Sequence, residues 1–229
     1  MENTKLYIVA TPIGNLEDIT YRGVRILKEV DVILCEDTRV TSRLLQKYDI
    51  KTPTLSYHAK SGIAKVEKIF GLLEDGRDLA LVSDAGTPTI SDPGMLLLKQ
   101  IREKFGSEVT ITTIPGASAL ITALSVGGIS SAQFVFLGFL PHKKGRETLI
   151  KEISESNRTI VFYESPHRIL KTLNSLKSAL DDSREIVVAR ELTKLFEEIV
   201  RGSISEVNEY FTQNRDKIKG EFVVIVGAC

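Results

Sequence analysis

Little in this chain invites a metal, a membrane or a polyanion. Its two cysteines, Cys35 and Cys229, have no metal-ligand spacing, and the three histidines are scattered. A structural zinc is therefore not expected, nor is a disulfide. Cys35 lies in an apolar run and reads as a small buried hydrophobe. No apolar run approaches the roughly 20 residues that a membrane helix needs. The leading "MENTKLYIVATP" lacks a signal-peptide pattern, so a cytoplasmic protein is the expectation. An excess of one charge sign is missing too, with 30 Lys and Arg against 30 Asp and Glu. This balance argues against coating nucleic acid by bulk charge but leaves room for a local basic site. Two nucleotide signatures are also absent. The first strand ends in "ATPIGNLEDIT", with Gly14 alone where a dinucleotide fold would carry G-x-G-x-x-G. There is no G-x-x-x-x-G-K-[ST] either.

What is present is an alternation of short β-branched runs and helical patterns. "KLYIVAT", "VDVILCE", "PTLSY", "DLALVSD" and "VTITTI" read as strands in the first half, and "QFVFLGF", "RTIVFYE", "EIVVARE" and "GEFVVIVG" in the second. "SGIAKVEKIFGLLEDG" reads as a helix with Ile63, Val66, Phe70 and Leu73 on one face, Ser61 as cap and Gly76 as terminator. "SPHRILKTLNSLKSAL" reads as another, with Ser165 as cap, Pro166 at the first helical position, and a stripe through Ile169, Leu170, Leu173, Leu176 and Leu180. The alternation implies α/β layers. The segment "LTKLFEEIVRGSISEVNEYF" suggests antiparallel pieces before the last strand. A break near "TIPGAS" predicts two α/β domains, residues 1–114 and 115–229, with a cleft between them as a natural ligand site.

Several loops are candidates for chemistry, and each has a plainer reading. "LVSDAGTPTISDPG", residues 81–94, is far longer than a surface turn needs, and long ordered loops are usually functional. Asp84 at its strand end could hydrogen-bond a ligand amine or hydroxyl, while Asp92 reads as the cap of the next helix. The plainer reading is a structural loop. After the first strand, Gly14 allows close approach by a ligand, or the segment is a simple connection with Asp18 capping. In "CEDTRVTSRLL", Glu36, Asp37 and Arg39 at the carboxyl end of a strand suit a polar site in an open α/β sheet. The plainer reading is a helix amino terminus with Asp37 or Thr38 as cap, which Arg39 and Arg43 fit poorly. "IPGASALITALSVGG" is rich in small residues, which suit ligand approach and tight helix–sheet packing equally. "LPHKKGR" holds His142, Lys143, Lys144 and Arg146, a basic patch able to meet phosphate or a solvated loop. His167 and Arg168 in "SPHR" invite an anionic partner. Arg190, Glu191 and Lys194 in "ARELTKLFEE" form either a site or surface ion pairs.

Taken in order, "VATPIGNLEDIT", "CEDTR", "SYH", "VSDAGTPTISDPG", "IPGASA", "GFLP", "FYESPHR", "ARELTKLFEE" and "GEFVVIV" resemble the tetrapyrrole methylase superfamily. More narrowly they resemble its 16S ribosomal RNA cytidine-2′-O-methyltransferase branch. The resemblance implies two α/β domains, a homodimer and S-adenosylmethionine bound in the cleft between the domains. It implies cofactor contacts at Pro12, Gly14, Val82, Ser83, Asp84, Thr87, Leu124, Ser125, Glu164 and Leu192. The implied reaction is methyl transfer to a ribose 2′-oxygen of 16S ribosomal RNA in the small subunit. Asp37, His58 and Glu191 are then candidate bases, and Arg39 and Lys194 candidates for stabilising phosphate or alkoxide. Arg43, Lys143, Lys144, Arg146 and Arg168 are candidate RNA contacts, and no metal is implied. Two other readings stay open: tetrapyrrole C-methylation on the same fold, and a non-catalytic module that binds S-adenosylmethionine or RNA.

Overall fold

The computed structural model describes residues 4–58, 61–92 and 94–229. Pro93, within the long 81–94 loop, lies outside them. The chain divides into two compact units, residues 1–118 and 119–229, so the division falls just beyond the expected residue 114.

The first unit is a five-stranded sheet formed by β1 (Thr4–Val9), β2 (Val32–Cys35), β3 (Thr54–Ser56), β4 (Leu79–Leu81) and β5 (Val109–Ile114). Its order is β3-β2-β4-β1-β5, and every pairing is parallel. Parallel sheets need helices on both faces, and the side-chain alternation supplies two apolar layers. Leu6, Leu34, Leu79 and Leu81 pack on one face with Ile69 and Leu73 of α3 (Ile63–Glu74) and Leu97 and Ile101 of α4 (Gly94–Phe105). Val9, Ile33, Cys35 and Val82 pack on the other with Ile26 and Leu27 of α1 (Tyr21–Glu29) and Leu44 and Leu45 of α2 (Thr38–Lys47).

Two local expectations need correction here. Thr20, not Asp18, caps α1, its hydroxyl accepting from the Gly23 N–H at 3.0 Å. In α3 the cap position is Gly62, and the Ser61 hydroxyl instead accepts from the His58 N–H. The α3 stripe accordingly runs through Val66, Ile69, Phe70 and Leu73, while Ile63 is 78% exposed. Gly76 does end that helix, with a φ of +76°.

The second unit carries α5 (Ala119–Gly127), β6 (Phe134–Phe139), α6 (Arg146–Glu155), β7 (Thr159–Glu164), α7 (Ile169–Lys177), β8 (Glu185–Arg190), β9 (Glu198–Ser203), α8 (Ile204–Gln213) and β10 (Phe222–Val226). All nine strands read from the sequence therefore form, joined by β9 within the segment read as antiparallel. The sheet order is β6-β7-β10-β8-β9; β6 and β7 are parallel, and the remaining pairs are antiparallel. Helices α6, α7 and α8 cover one face. Ile169, Leu173 and Leu176 of α7 are fully buried there, each such burial contributing about 1.5–3 kcal/mol. Helix α5 packs on the opposite face, where a Cβ on Gly127 would come within 3.0 Å of Ile225. At Gly127, then, the small-residue composition serves close helix–sheet packing. Helix α7 begins at Ile169, later than expected, because Ser165 and Pro166 belong to a turn whose Ser165 carbonyl accepts from the N–H groups of Arg168 and Ile169.

Candidate active site

The strand order of the first unit locates a crevice. From β1 the chain moves past β4 towards β2, whereas from β4 it crosses β1 to reach β5. Neighbouring strands β1 and β4 thus send their connections in opposite directions, and ligands of open parallel sheets bind outside the carboxyl ends of such a pair. The two loops leaving there, which include Pro12 and Gly14 after β1 and Val82 through Asp92 after β4, are the ones singled out in the sequence.

These loops are fastened to each other. Thr11 and Gly86 exchange backbone hydrogen bonds at 2.9 and 3.1 Å, and the Thr11 hydroxyl donates to the Ser83 carbonyl at 3.1 Å. Gly86 has a φ of +81°, which glycine adopts without strain, and a Cβ there would lie 3.3 Å from Ile13. The Ser83 hydroxyl donates to the Gly86 carbonyl at 3.0 Å, and the Thr87 hydroxyl to the Ala117 carbonyl at 3.1 Å. Both side chains are committed to shaping the loop. Pro12 and Val82 are buried, and Gly14 and Asp84 are exposed. Further along, Thr89 and Ser91 hold left-handed φ values of +74° and +58°, uncommon for non-glycine residues. Asp92 accepts from the Gly94 N–H at 2.8 Å, the expected cap for α4.

Carboxyl groups converge on this crevice. Asp84 accepts from the Asp37 N–H at 3.1 Å, and Glu36 accepts from the Asp84 N–H at 3.4 Å, which ties the end of β2 to the end of β4. Glu36 also shares a side-chain hydrogen bond with Asp92. Burial, then the bond and charge of Asp92, push its carboxyl up to about 7, against the pull of the Asp84 N–H. Burial likewise raises Asp84, with the charges of Asp37 and Asp92 acting in the same sense. Asp37 behaves oppositely. It is the cap of α2, and the Arg39 side chain folds back onto it with Nε–Oδ1 at 3.0 Å and Nη2–Oδ2 at 2.6 Å. That pairing holds the Asp37 carboxyl down at about 2. Arg43 is exposed on the same helix, and His58 is exposed beyond β3. Glu36 and Asp92 were not among the expected site residues. The adjacency of Glu36 to Asp37 was visible in the sequence, but its partner on another loop was not.

In the second unit, the structure redirects two expected RNA contacts. Arg146 and Arg168 are drawn inward to Glu164, whose side chain is fully buried. Arg168 Nη2 reaches Glu164 Oε1 at 2.8 Å, while the Thr172 hydroxyl donates to Oε2 at 2.6 Å and accepts from Arg146 Nη2 at 2.7 Å. The same arginines donate to the carbonyls of Leu140 and Pro141 at 2.6 and 3.4 Å. They hold the loop on which Lys143 and Lys144 stand exposed. The i,i+4 spacing of Glu164 and Arg168 was the available signal for this pair.

Glu191 and Lys194 bind each other. Lys194 Nζ reaches Glu191 Oε1 at 2.8 Å and Glu221 Oε2 at 2.9 Å. Burial alone would raise Glu191, but Lys194 and the Glu221 N–H outweigh it and leave the carboxyl below its ordinary value. Leu124 and Leu192 are buried, and Ser125 donates to the Thr122 carbonyl at 2.8 Å.

The chain thus carries one unit with a parallel sheet and an acidic crevice at its switch point, and a second unit with a mixed sheet. The structure is similar to that of a cobalamin biosynthetic enzyme, cobalt precorrin-4 methyltransferase, with a TM-score of 0.70 at 20% identity, covering 97% of this chain and 94% of that one. It is similar to diphthine synthase as well, with a TM-score of 0.73 at 15% identity, covering 98% and 90%. At such identities the likeness concerns the fold. Residues 5–208 match the tetrapyrrole (corrin/porphyrin) methylases, and the chain belongs to that family. Among its relatives are proteins named ribosomal RNA small subunit methyltransferase I. That of Thermotoga maritima is 47% identical over 97% of both chains. That of Bacillus subtilis is 46% identical over 96% of this chain and 74% of its own length.

Proposed function

We propose that this chain transfers a methyl group from S-adenosylmethionine to the 2′-oxygen of a cytidine ribose in 16S ribosomal RNA, acting on the small ribosomal subunit. The observation that carries the reading is the near-complete alignment with the Thermotoga maritima ribosomal RNA small subunit methyltransferase I. The tetrapyrrole alternative rests on likenesses at 20% identity or less, which speak to fold.

The crevice chemistry suits that donor. Asp84 is exposed and oriented by the Asp37 N–H, a carboxylate placed for an ammonium, a sulfonium or a ribose hydroxyl. No glycine-rich cradle accompanies it, so a pyrophosphate-bearing ligand fits poorly. S-adenosylmethionine supplies a methyl group on a positively charged sulfur, and the pair of electrons in the broken bond stays with that sulfur. Pro12, Gly14, Val82, Ser83 and Thr87 then act through shape and backbone, their loop fixed before the ligand arrives. The ribose hydroxyl must lose its proton as its oxygen bonds to carbon. Of the expected bases, Asp37 is held too acidic by Arg39, Glu191 is committed to Lys194, and His58 stands exposed beyond β3 at the edge of the sheet. Glu36, with its carboxyl at about 7, is the crevice acid matched to accept a proton near neutral pH. The chain is further proposed to work as a homodimer in the cytoplasm, an interface that could cover the exposed Ile121 and Val126 of α5.

The test is methyl transfer from labelled S-adenosylmethionine to small subunits lacking their ribose methylation, with free 16S RNA alongside. Label on a ribose 2′-oxygen is the expected result. Donor binding without transfer to either substrate would overturn the proposal.

A further inference from the structure

Three loops that are distant in sequence leave one end of the second unit's sheet. Phe222, which opens β10, stands opposite Glu164 at the end of β7 and opposite Arg190 at the end of β8. Phe139, closing the parallel strand β6, pairs with Tyr163 at the same end. The lysine loop after β6 and the 191–197 loop after β8 are therefore three strand positions apart, roughly 14 Å at the usual strand spacing.

The second of these loops exposes apolar side chains. Leu195 is 90% and Phe196 67% exposed. A mobile loop could display them by default, but this one is tied at each step. Glu191 and Thr193 hold left-handed φ values of +51° and +66°. The buried Arg190 donates through Nη2 to the Phe196 carbonyl at 3.0 Å. The Thr193 N–H donates to Glu197 at 2.6 Å, and the Lys194 N–H to the Glu191 carbonyl at 3.0 Å. The carboxylates nearby are occupied within the loop, Glu191 and Glu221 by Lys194 and Glu197 by Thr193.

A rigidly presented aromatic face within reach of free lysines is what an unpaired RNA segment needs: stacking for a base and cations for flanking phosphates. We infer that this end of the sheet is an RNA-reading surface, with Phe196 stacking on an unpaired base and Lys143 and Lys144 meeting the adjoining backbone. The inference rests on the proposed RNA substrate and adds a residue that the basic patch alone did not indicate.

The test measures affinity for undermethylated small subunits, and KM in methyl transfer, for Phe196→Ala, Phe196→Leu and Phe196→Trp. Alanine and leucine should each weaken binding by about 5- to 150-fold, and tryptophan should retain it. Donor affinity and urea midpoint should stay at wild-type values. Removing both lysines should reduce the slope of log affinity against log salt by about 1–2. Unchanged affinity in Phe196→Ala overturns the inference. So does full retention in Phe196→Leu, which would mark an ordinary apolar contact, or dissociation of a dimer by Phe196→Ala with RNA affinity intact. Wild-type protein that binds subunits without methylating them would defeat the catalytic proposal, while the variants' affinities would still decide this surface. Wild-type protein that binds no subunits would overturn both.

Discussion

Replacing Glu36 with glutamine removes a charge that the crevice resists. The folded carboxyl sits at about 7, above the ordinary 4.5, because burial and Asp92 favour its protonated form. Between those values the folded chain binds more protons than the unfolded one, so stability falls as pH rises. The favourable contribution is fully present below about 4.5 and is lost as pH passes through about 7. The rise from 4.5 to about 7 corresponds to about 3 kcal/mol, and solvent screening in an open crevice reduces this to about 1–2 kcal/mol. Glutamine keeps the shape and both hydrogen-bonding senses while staying neutral. Glu36→Gln should therefore match wild type at pH 4.5 and exceed it by about 1–2 kcal/mol at pH 8, some 2–4 °C in Tm for each kcal/mol. Urea titrations at a series of pH values measure this difference directly. A stability difference that stays constant from pH 4.5 to 8 would refute the account of why this carboxyl is raised. If Glu36 is also the proton acceptor, the same variant should lose the acidic limb of the kcat profile while still binding the donor.

Two further substitutions address the second unit. Glu164→Gln leaves Arg168 and Arg146, whose side chains are 14% and 8% exposed, without their counter-charge. Breaking such a buried pair should cost about 3–5 kcal/mol, read as a lowered urea midpoint. Gly220→Ala places a Cβ 2.1 Å from the Glu191 carboxylate at a φ of +81°. It should destabilise by about 1–3 kcal/mol, and combining it with Glu191→Ala should recover the part due to the collision. A double-mutant cycle that shows strict additivity would count against the collision.

Nine of the ten strands were legible because their β-branched runs are continuous and bounded by turn residues, as in "VILCE" and "FVVIVG"; β9 (Glu198–Ser203), with charged residues and a glycine breaking its run, was not. Helix starts were less so. Ser61 and Ser165 look like caps, but their polar groups serve neighbouring turns, and each helix begins later than its serine suggests. The long loop was recognisable from its composition, and the cap role of Asp92 with it. What the sequence could not display was partnership across distance. The raised carboxyl of Glu36 owes most to its burial and next to Asp92, which comes from a different loop, and the inward turn of Arg146 depends on Glu164. A lysine or arginine count cannot distinguish a cation facing solvent from one holding a loop from beneath. Hence Lys143 and Lys144 remain exposed while Arg146 does not.

The position of β10 gives the second unit a definite order of assembly. It follows the other four strands of its sheet in sequence, yet it lies in the middle, between β7 and β8. As the chain emerges from a ribosome, β7 and β8 must each wait with one unpaired edge until Phe222–Val226 has been made, a vulnerable interval for aggregation. Only then does Phe222 fix the spacing between the ends of β7 and β8. Translation that stopped short of Phe222 would leave the lysine loop and the Phe196 loop as separate fragments, with no sheet to relate them.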